Sequence, residues 1–231
     1  DYLEDKPACP LCGDTGYDKK GVCRCLRQYY AREQLQELSR LLPLGEARFE
    51  TFRFDLYDST EWEGYGISPR ANMERNFDVC RDFACQFSRG GGDLLLSGGT
   101  GLGKTFLSAC IARVVSESGF SVVYDTAISI FAKLENDKFR PDEDTAAEVR
   151  RCEGCDLLIL DDLGTEMTTS FVQSALYQIV NGRMLSGKST IISTNLAPEE
   201  LGQRYGAAIL SRIEGGYEIL PFFGEDIRRK R

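Results

Sequence analysis

Histidine is absent from the 231 residues. Its absence removes the commonest general base and the commonest nitrogen ligand of zinc together, so proton chemistry falls to carboxylates and any metal site to cysteine or carboxylate. Long apolar runs are missing too. Nothing approaches the ~20 residues a membrane-spanning helix needs, and no basic segment followed by an apolar stretch opens the chain. No membrane partner is expected, and the cytoplasm is the expected compartment. Positive charge is in deficit, with 28 Lys and Arg against 36 Asp and Glu and a net charge of −8. That balance excludes a surface built throughout to hold nucleic-acid phosphates and leaves room only for a local basic patch. The first residue is Asp1 rather than Met, so the natural start is expected further upstream.

Cysteine, by contrast, is plentiful: nine thiols, an odd number at uneven spacing, which do not form the framework of a small secreted domain. Four fall in Cys9-Pro-Leu-Cys12-Gly and Cys23-Arg-Cys25, among Pro7, Pro10, Gly13, Gly16 and Gly21, with neither helical nor strand period. Thiolates two or three positions apart on a tight turn can face one centre, and the following glycine leaves backbone N–H groups free for the sulfurs. Four sulfurs suit tetrahedral Zn²⁺; an iron–sulfur cluster and a redox pair are the alternatives. Cys152 and Cys155 form another close pair with no partner pair. Together with Cys80, Cys85 and Cys110 they read as small core residues.

A helical pattern runs over residues 26–42, with Leu26, Tyr30, Leu35, Leu38 and Leu41 broadly on one face, and Pro43 ends it. The boundary falls there: residues 1–43 form a cysteine-rich zinc-binding module plus helix, and residues 44–231 a second domain. Residues 44–66, with Phe49, Phe52, Phe54, Tyr57 and Trp62, read as an aromatic strap packed on that domain. Ser68-Pro69 opens a helix whose stripe is Met73, Phe77, Cys80, Ala84 and Phe87. Strands at 94–96, 121–124, 157–160 and 190–193 then alternate with helices reaching Val115 and spanning 128–139, 142–151 and 171–185. The fold class is α/β, a parallel sheet covered by helices on both faces.

Between the first of these strands and its helix stands Gly98-Gly99-Thr100-Gly101-Leu102-Gly103-Lys104-Thr105, followed by Phe106. A triphosphate can be held only by many donors with no side chains in the way, which glycines in a strand-to-helix loop supply, aided by the positive end of the helix dipole. Lys104 is placed to reach β- and γ-phosphates, and the Thr105 hydroxyl to hold Mg²⁺. The run Leu157-Leu-Ile-Leu-Asp161-Asp162 sends two carboxylates out of a buried strand at the edge where open α/β sheets bind ligands. Asp161 is the expected Mg²⁺ partner and Asp162 the expected base for the attacking water, with Glu166 as the alternative. Asn195, closing Thr190-Ile-Ile-Ser-Thr-Asn195, is placed to orient that water.

With these elements in order, the region from about Phe49 onward resembles the AAA+ P-loop ATPases, and within them the DnaC/DnaI-type helicase loaders and the related IstB-type transposition helpers. The likeness is most particular in Leu160-Asp-Asp-Leu-Gly-Thr-Glu166, Ser193-Thr-Asn195, Leu210-Ser-Arg212-Ile and Phe223-Gly-Glu-Asp-Ile-Arg228. It implies that Asn195 is a first sensor and that Arg228 is likened to a second, in the nucleotide pocket. Arg212 resembles an arginine finger acting on the ATP of a neighbouring subunit, with Arg204 as the alternative, which implies a homo-oligomer. Many AAA+ proteins carry Glu where this chain has Asp162, so hydrolysis of ATP to ADP and phosphate is expected to be slow and stimulated by DNA or a partner.

The likeness implies an ATP-dependent loader of a replicative helicase acting at the start of DNA replication on single-stranded DNA, with the cysteine module as helicase contact. A transposition helper and a nucleotide-gated binding protein with little hydrolysis are the alternatives. Arg228, Arg229, Lys230 and Arg231 form a basic cluster that reads equally as a phosphate contact or a solvated tail.

Overall fold

The computed structural model describes residues 7–19, 21–42, 44–45, 47–140 and 142–230. Pro43, where the boundary was expected, and Arg231 of the basic cluster lie outside them. The cysteine-rich start folds around a small antiparallel hairpin, β1 (Tyr17–Asp18) against β2 (Gly21–Val22), which its loop-like composition conceals.

Helix α1 (Arg24–Leu38) follows directly and is shorter than its apolar pattern suggested. Its buried residues are Ala31, Gln34 and Leu38, while Tyr30 and Leu41, both expected on the apolar face, are exposed. Hydrogen bonding explains the difference. The buried Gln34 amide donates to Ser116 Oγ (2.6 Å) and to the Phe120 carbonyl (3.0 Å), and its oxygen accepts the Val122 N–H (3.0 Å). Val122 begins an outermost strand of the sheet, where backbone donors lack a strand partner, so a polar side chain is worth more there than an apolar one. A bidentate ion pair between Glu37 and Arg151 adds a second tie to the rest of the chain.

The strap forms two 3-10 turns, Phe49–Thr51 and Phe54–Leu56. Phe49, Phe52 and Phe54 all lie against the Phe77 ring at centroid distances of 5.4, 5.2 and 5.0 Å. Helix α2 (Pro69–Cys85) opens with Ser68 Oγ accepting the Ala71 N–H, and Met73, Phe77, Cys80, Ala84 and Phe87 are all buried. Cys85 is exposed, against the expectation of a core thiol, because it falls off that stripe; Cys80, Cys110, Cys152 and Cys155 are buried.

Five strands make one parallel sheet: β3 (Asp93–Gly98), β4 (Val122–Thr126), β5 (Leu157–Leu163), β6 (Ser189–Thr194) and β7 (Tyr217–Phe222), in the order β4-β5-β6-β3-β7. Helices α3 (Lys104–Glu117), α4 (Ala127–Phe139), α5 (Glu143–Gly154) and α6 (Ser170–Leu185) connect them, and α7 (Pro198–Tyr205) and α8 (Ala207–Gly216) lead into β7. Successive strand residues face opposite sides. Leu94, Leu96, Leu157, Ile159 and Ile191 join a core with the strap, α2 and α3, and Leu95, Leu158, Leu160 and Ile192 one with α4, α6, α7 and α8.

The sequence pattern did not reveal α7, α8 and β7. Pro221 within β7 argues against a strand, and is tolerated because β7 pairs only with β3; its carbonyl instead accepts the amides of Asn72 and Asn76, each at 2.7 Å. No helix among the described residues is long and apolar enough to cross a membrane.

Candidate functional site

The glycine-rich loop leaves the C-terminal end of β3, between β6 and β7, and Gly103 is the residue before α3. Lys104 is 7% exposed, and its ammonium donates to the carbonyls of Gly98 (2.6 Å) and Gly99 (2.7 Å). Burial lowers the Lys104 pKa, and the negative charges of Asp162 and Asp161 partly restore it. A cation is thus held inside the loop by two backbone carbonyls, within electrostatic reach of Asp162 and Asp161. Phe106, in the first turn of α3, turns its ring to the strap, 5.7 Å from Phe52, so its side chain belongs to the aromatic core.

Asp161 projects from β5 and is 2% exposed. Its Oδ2 accepts the hydroxyls of Tyr124 (2.6 Å) and Thr105 (3.2 Å), and its Oδ1 the Ser193 hydroxyl. Tyr124 and Ser193 come from the strands on either side, two contributors whose role sequence reasoning missed: Tyr124 falls in no recognisable motif, Ser193 was noted only as a neighbour of Asn195, and the sheet order brings both to Asp161. The Tyr124 phenol is pushed upward by its burial and by the Asp161 charge, so it remains a donor.

Directly after Asp161 the strand bulges between Leu160 and Leu163, and Asp162 takes a left-handed backbone with φ of 54°. Its N–H donates to Ser193 Oγ (3.2 Å) while its side chain stays exposed. The bulge breaks the alternation of the strand and leaves the first of two successive carboxylates buried and the second open. Desolvation and then the Asp161 charge raise the Asp162 pKa, and Lys104 and Arg228 pull it back.

Glu166, expected as the alternative base, is buried. Its carboxylate accepts the Gly164 N–H (3.0 Å) and the Tyr205 hydroxyl, and its carbonyl accepts a guanidinium N–H of Arg204. Arg204 also donates to Thr168 Oγ1 (2.7 Å). Both residues thus tie the segment after β5 to α7. Asn195 is exposed at the end of β6, the strand between the loop strand and the acidic strand, and its Oδ1 lies beside Gly164. Arg212 is exposed on α8, and its side chain has neither a hydrogen bond nor an ion pair among the described residues. Arg228 is exposed on the 3-10 turn Ile227–Lys230, and its charge reaches Lys104 and Asp162.

Oxygen donors at Thr105 and Asp161 fit a hard divalent cation such as Mg²⁺. The cysteine module offers a different donor set. The Sγ atoms of Cys9, Cys12, Cys23 and Cys25 all lie within 4.8 Å of one another, with Cys9 to Cys23 at 3.9 Å and Cys12 to Cys25 at 3.4 Å. A tetrahedron with Zn–S bonds of ~2.3 Å has sulfur–sulfur edges near ~3.8 Å, so the four sulfurs fit that ion. Burial acts to raise the Cys12 thiol, but hydrogen bonds from Cys25, Gly16, Cys9 and Cys23 bring it down to about 7. Its hydrogen-bond partner Cys25 is pushed up to about 12.

Residues 74–231 match the family described as IstB-like ATP binding protein. The replicative helicase loader DnaI of Bacillus subtilis is 29% identical over 222 residues, covering 89% of this chain and 70% of its own. The replicative helicase loader DnaC of Escherichia coli K12 is 26% identical over 178 residues, 76% of this chain and 71% of its own. Among solved structures, that of the DnaC helicase loader superposes with a TM-score of 0.64 at 20% identity, covering 78% of this chain and 99% of that one, and shares the fold. A match over most of the chain, carried on a glycine loop with its lysine, threonine and acidic strand in register, makes this protein a member of the IstB-like ATP-binding family.

Proposed function

We propose that the protein is an ATP-dependent loader of a replicative DNA helicase, working in the cytoplasm as a homo-oligomer on single-stranded DNA. The loop N–H groups and Lys104 would hold the phosphates of ATP, and Thr105 with Asp161 would hold Mg²⁺, which neutralises phosphate charge. Asp162 would take the proton of the attacking water. Its open carboxylate near Lys104 suits that task, whereas the Glu166 carboxylate is committed to Tyr205 and Gly164. Asn195 would orient the water, and Arg228 would reach the nucleotide from the C-terminal turn.

Arg212, unpaired and exposed, would serve the ATP of a neighbouring subunit, where such an arginine stabilises transition-state charge and contributes ~10³-fold or more in rate. Arg204 is a poor substitute because its guanidinium is already bonded within its own subunit. The four cysteines would hold Zn²⁺ and fix the module that meets the helicase.

One observation carries the loader reading over a transposition helper. The family match begins at residue 74, yet the likeness to the loader DnaI covers 89% of the chain and so extends into its N-terminal part. The test is capture of the purified host helicase by the full chain and by a Cys9→Ser, Cys12→Ser double variant. The expected outcome is ATP-sensitive capture by the native chain, one bound zinc per chain, and loss of both in the variant. Capture that is equal for both proteins, or no capture at all, contradicts the reading.

A further inference from the structure

The phosphate loop is held from outside by two elements whose contact with it the sequence did not reveal. Tyr57, in the strap far upstream of the loop, donates its hydroxyl to the Leu102 carbonyl (3.1 Å). The C-terminal turn meets the other side: the Ile227 N–H donates to the Gly101 carbonyl (3.0 Å). That turn is shaped by Asp226, whose Oδ1 accepts the Arg228 N–H (3.0 Å).

Contact is close enough to dictate the loop's composition. A Cβ on Gly101 would lie 1.8 Å from Asp226 Oδ1, and a Cβ on Gly103 would lie 2.6 Å from the Tyr57 hydroxyl; both glycines also have left-handed backbones, with φ of 70° and 96°. The Gly98 and Gly99 carbonyls are taken by Lys104. Four of the loop's carbonyls are therefore engaged by the protein itself.

A peptide plane has its carbonyl and its N–H on opposite sides, so fixing one aims the other. We infer that Tyr57 and Asp226 are positioning residues of the phosphate loop, bracing its carbonyls so that its N–H groups are preset for the phosphates of a nucleoside di- or triphosphate. The inference rests on the ATP-binding reading of the same site. Asp226 has a second duty, since the turn it shapes carries Arg228. Burial keeps the Tyr57 phenol protonated and therefore a donor.

Tyr57→Phe removes one hydroxyl and keeps the ring that stacks on Phe52 (5.8 Å). With Mg²⁺ present, it should weaken equilibrium binding of ATP and ADP alike by about five-fold, the worth of one neutral hydrogen bond. In steady-state hydrolysis it should raise KM for ATP and leave kcat nearly unchanged. Asp226→Ala should weaken both nucleotides by at least as much, and Asp226→Asn, which keeps an acceptor oxygen, should restore most of the loss. The unfolding temperature without nucleotide should fall by no more than about 2–4 °C for Tyr57→Phe, the worth of that one hydrogen bond, and stay at the native value for Asp226→Asn.

Unchanged nucleotide affinity in Tyr57→Phe, or a loss that only follows a larger fall in unfolding temperature, overturns the brace. So does tighter binding in Asp226→Ala, which would make the carboxylate a repulsive group instead of a support. Lys104→Ala separates this result from failure of the site itself: if that variant binds ATP as well as the native chain, the nucleotide site is elsewhere. If it loses ATP while Tyr57→Phe does not, only the brace fails.

Discussion

Asp93 opens the strand that leads to the phosphate loop, and its carboxylate accepts the Thr190 N–H at 2.6 Å. Desolvation raises its pKa from 3.8 to about 6, against the pull of that hydrogen bond and of Arg183. A carboxyl raised on folding costs stability when ionised: the cost is absent below the unfolded value, grows between 3.8 and about 6, and is complete above that. Asp93→Asn, which keeps the acceptor oxygen, should therefore stabilise the fold near neutral pH by roughly 1–2 kcal/mol after solvent screening, with the gain fading toward pH ~4. Denaturant unfolding at several pH values checks it, and a gain independent of pH contradicts the assignment. The site shows the same dependence of charge on surroundings: the composition of Leu160-Asp-Asp-Leu-Gly-Thr-Glu166 announces three acids, but the bulge opens Asp162 while Tyr205 encloses Glu166. Adjacent carboxylates could be read in sequence. Which of them stays free depends on α7, whose start at Ala197-Pro198 lacks an apolar stripe long enough to be recognised.

Among elements, α1 shows how far periodicity reaches. Its helix was legible, but its buried face was not, because Gln34 and not a leucine satisfies the first donor of outermost strand β4. Gln34→Leu leaves the Val122 N–H and Ser116 without their partner and should cost about 1–3 kcal/mol in unfolding free energy. Arg151→Ala, which removes only a half-exposed ion pair with Glu37, should cost under about 1 kcal/mol. Equal losses would mean that α1 is held by charge and not by the edge-capping amide. The strands β3, β5 and β6 were readable as apolar runs because both of their faces are buried. β7 was not, since it is an edge strand interrupted by Pro221, and the aromatic strap gave no sign that Tyr57 reaches the phosphate loop.

At the level of the whole molecule, the parallel sheet gathers the phosphate loop, Asp161, Asp162 and Asn195 at one edge, whereas Arg212 stands unpaired on α8. Under the proposed function that layout would be half of a hydrolytic site completed by a second subunit, and the four N-terminal cysteines have the sulfur spacing that tetrahedral Zn–S bonds would need. The claim that joins these parts is turnover of ATP by residues of two subunits. It is tested most directly by phosphate release in the presence of single-stranded DNA, from the native chain, from Lys104→Ala, from Arg212→Ala, and from a mixture of the two variants. The native chain should turn over ATP, each variant alone should lose about 1,000-fold or more, the range that removal of such a charge costs, and the mixture should recover part of the activity. Native turnover no faster than that of Lys104→Ala, or a mixture no more active than its components, would contradict the account.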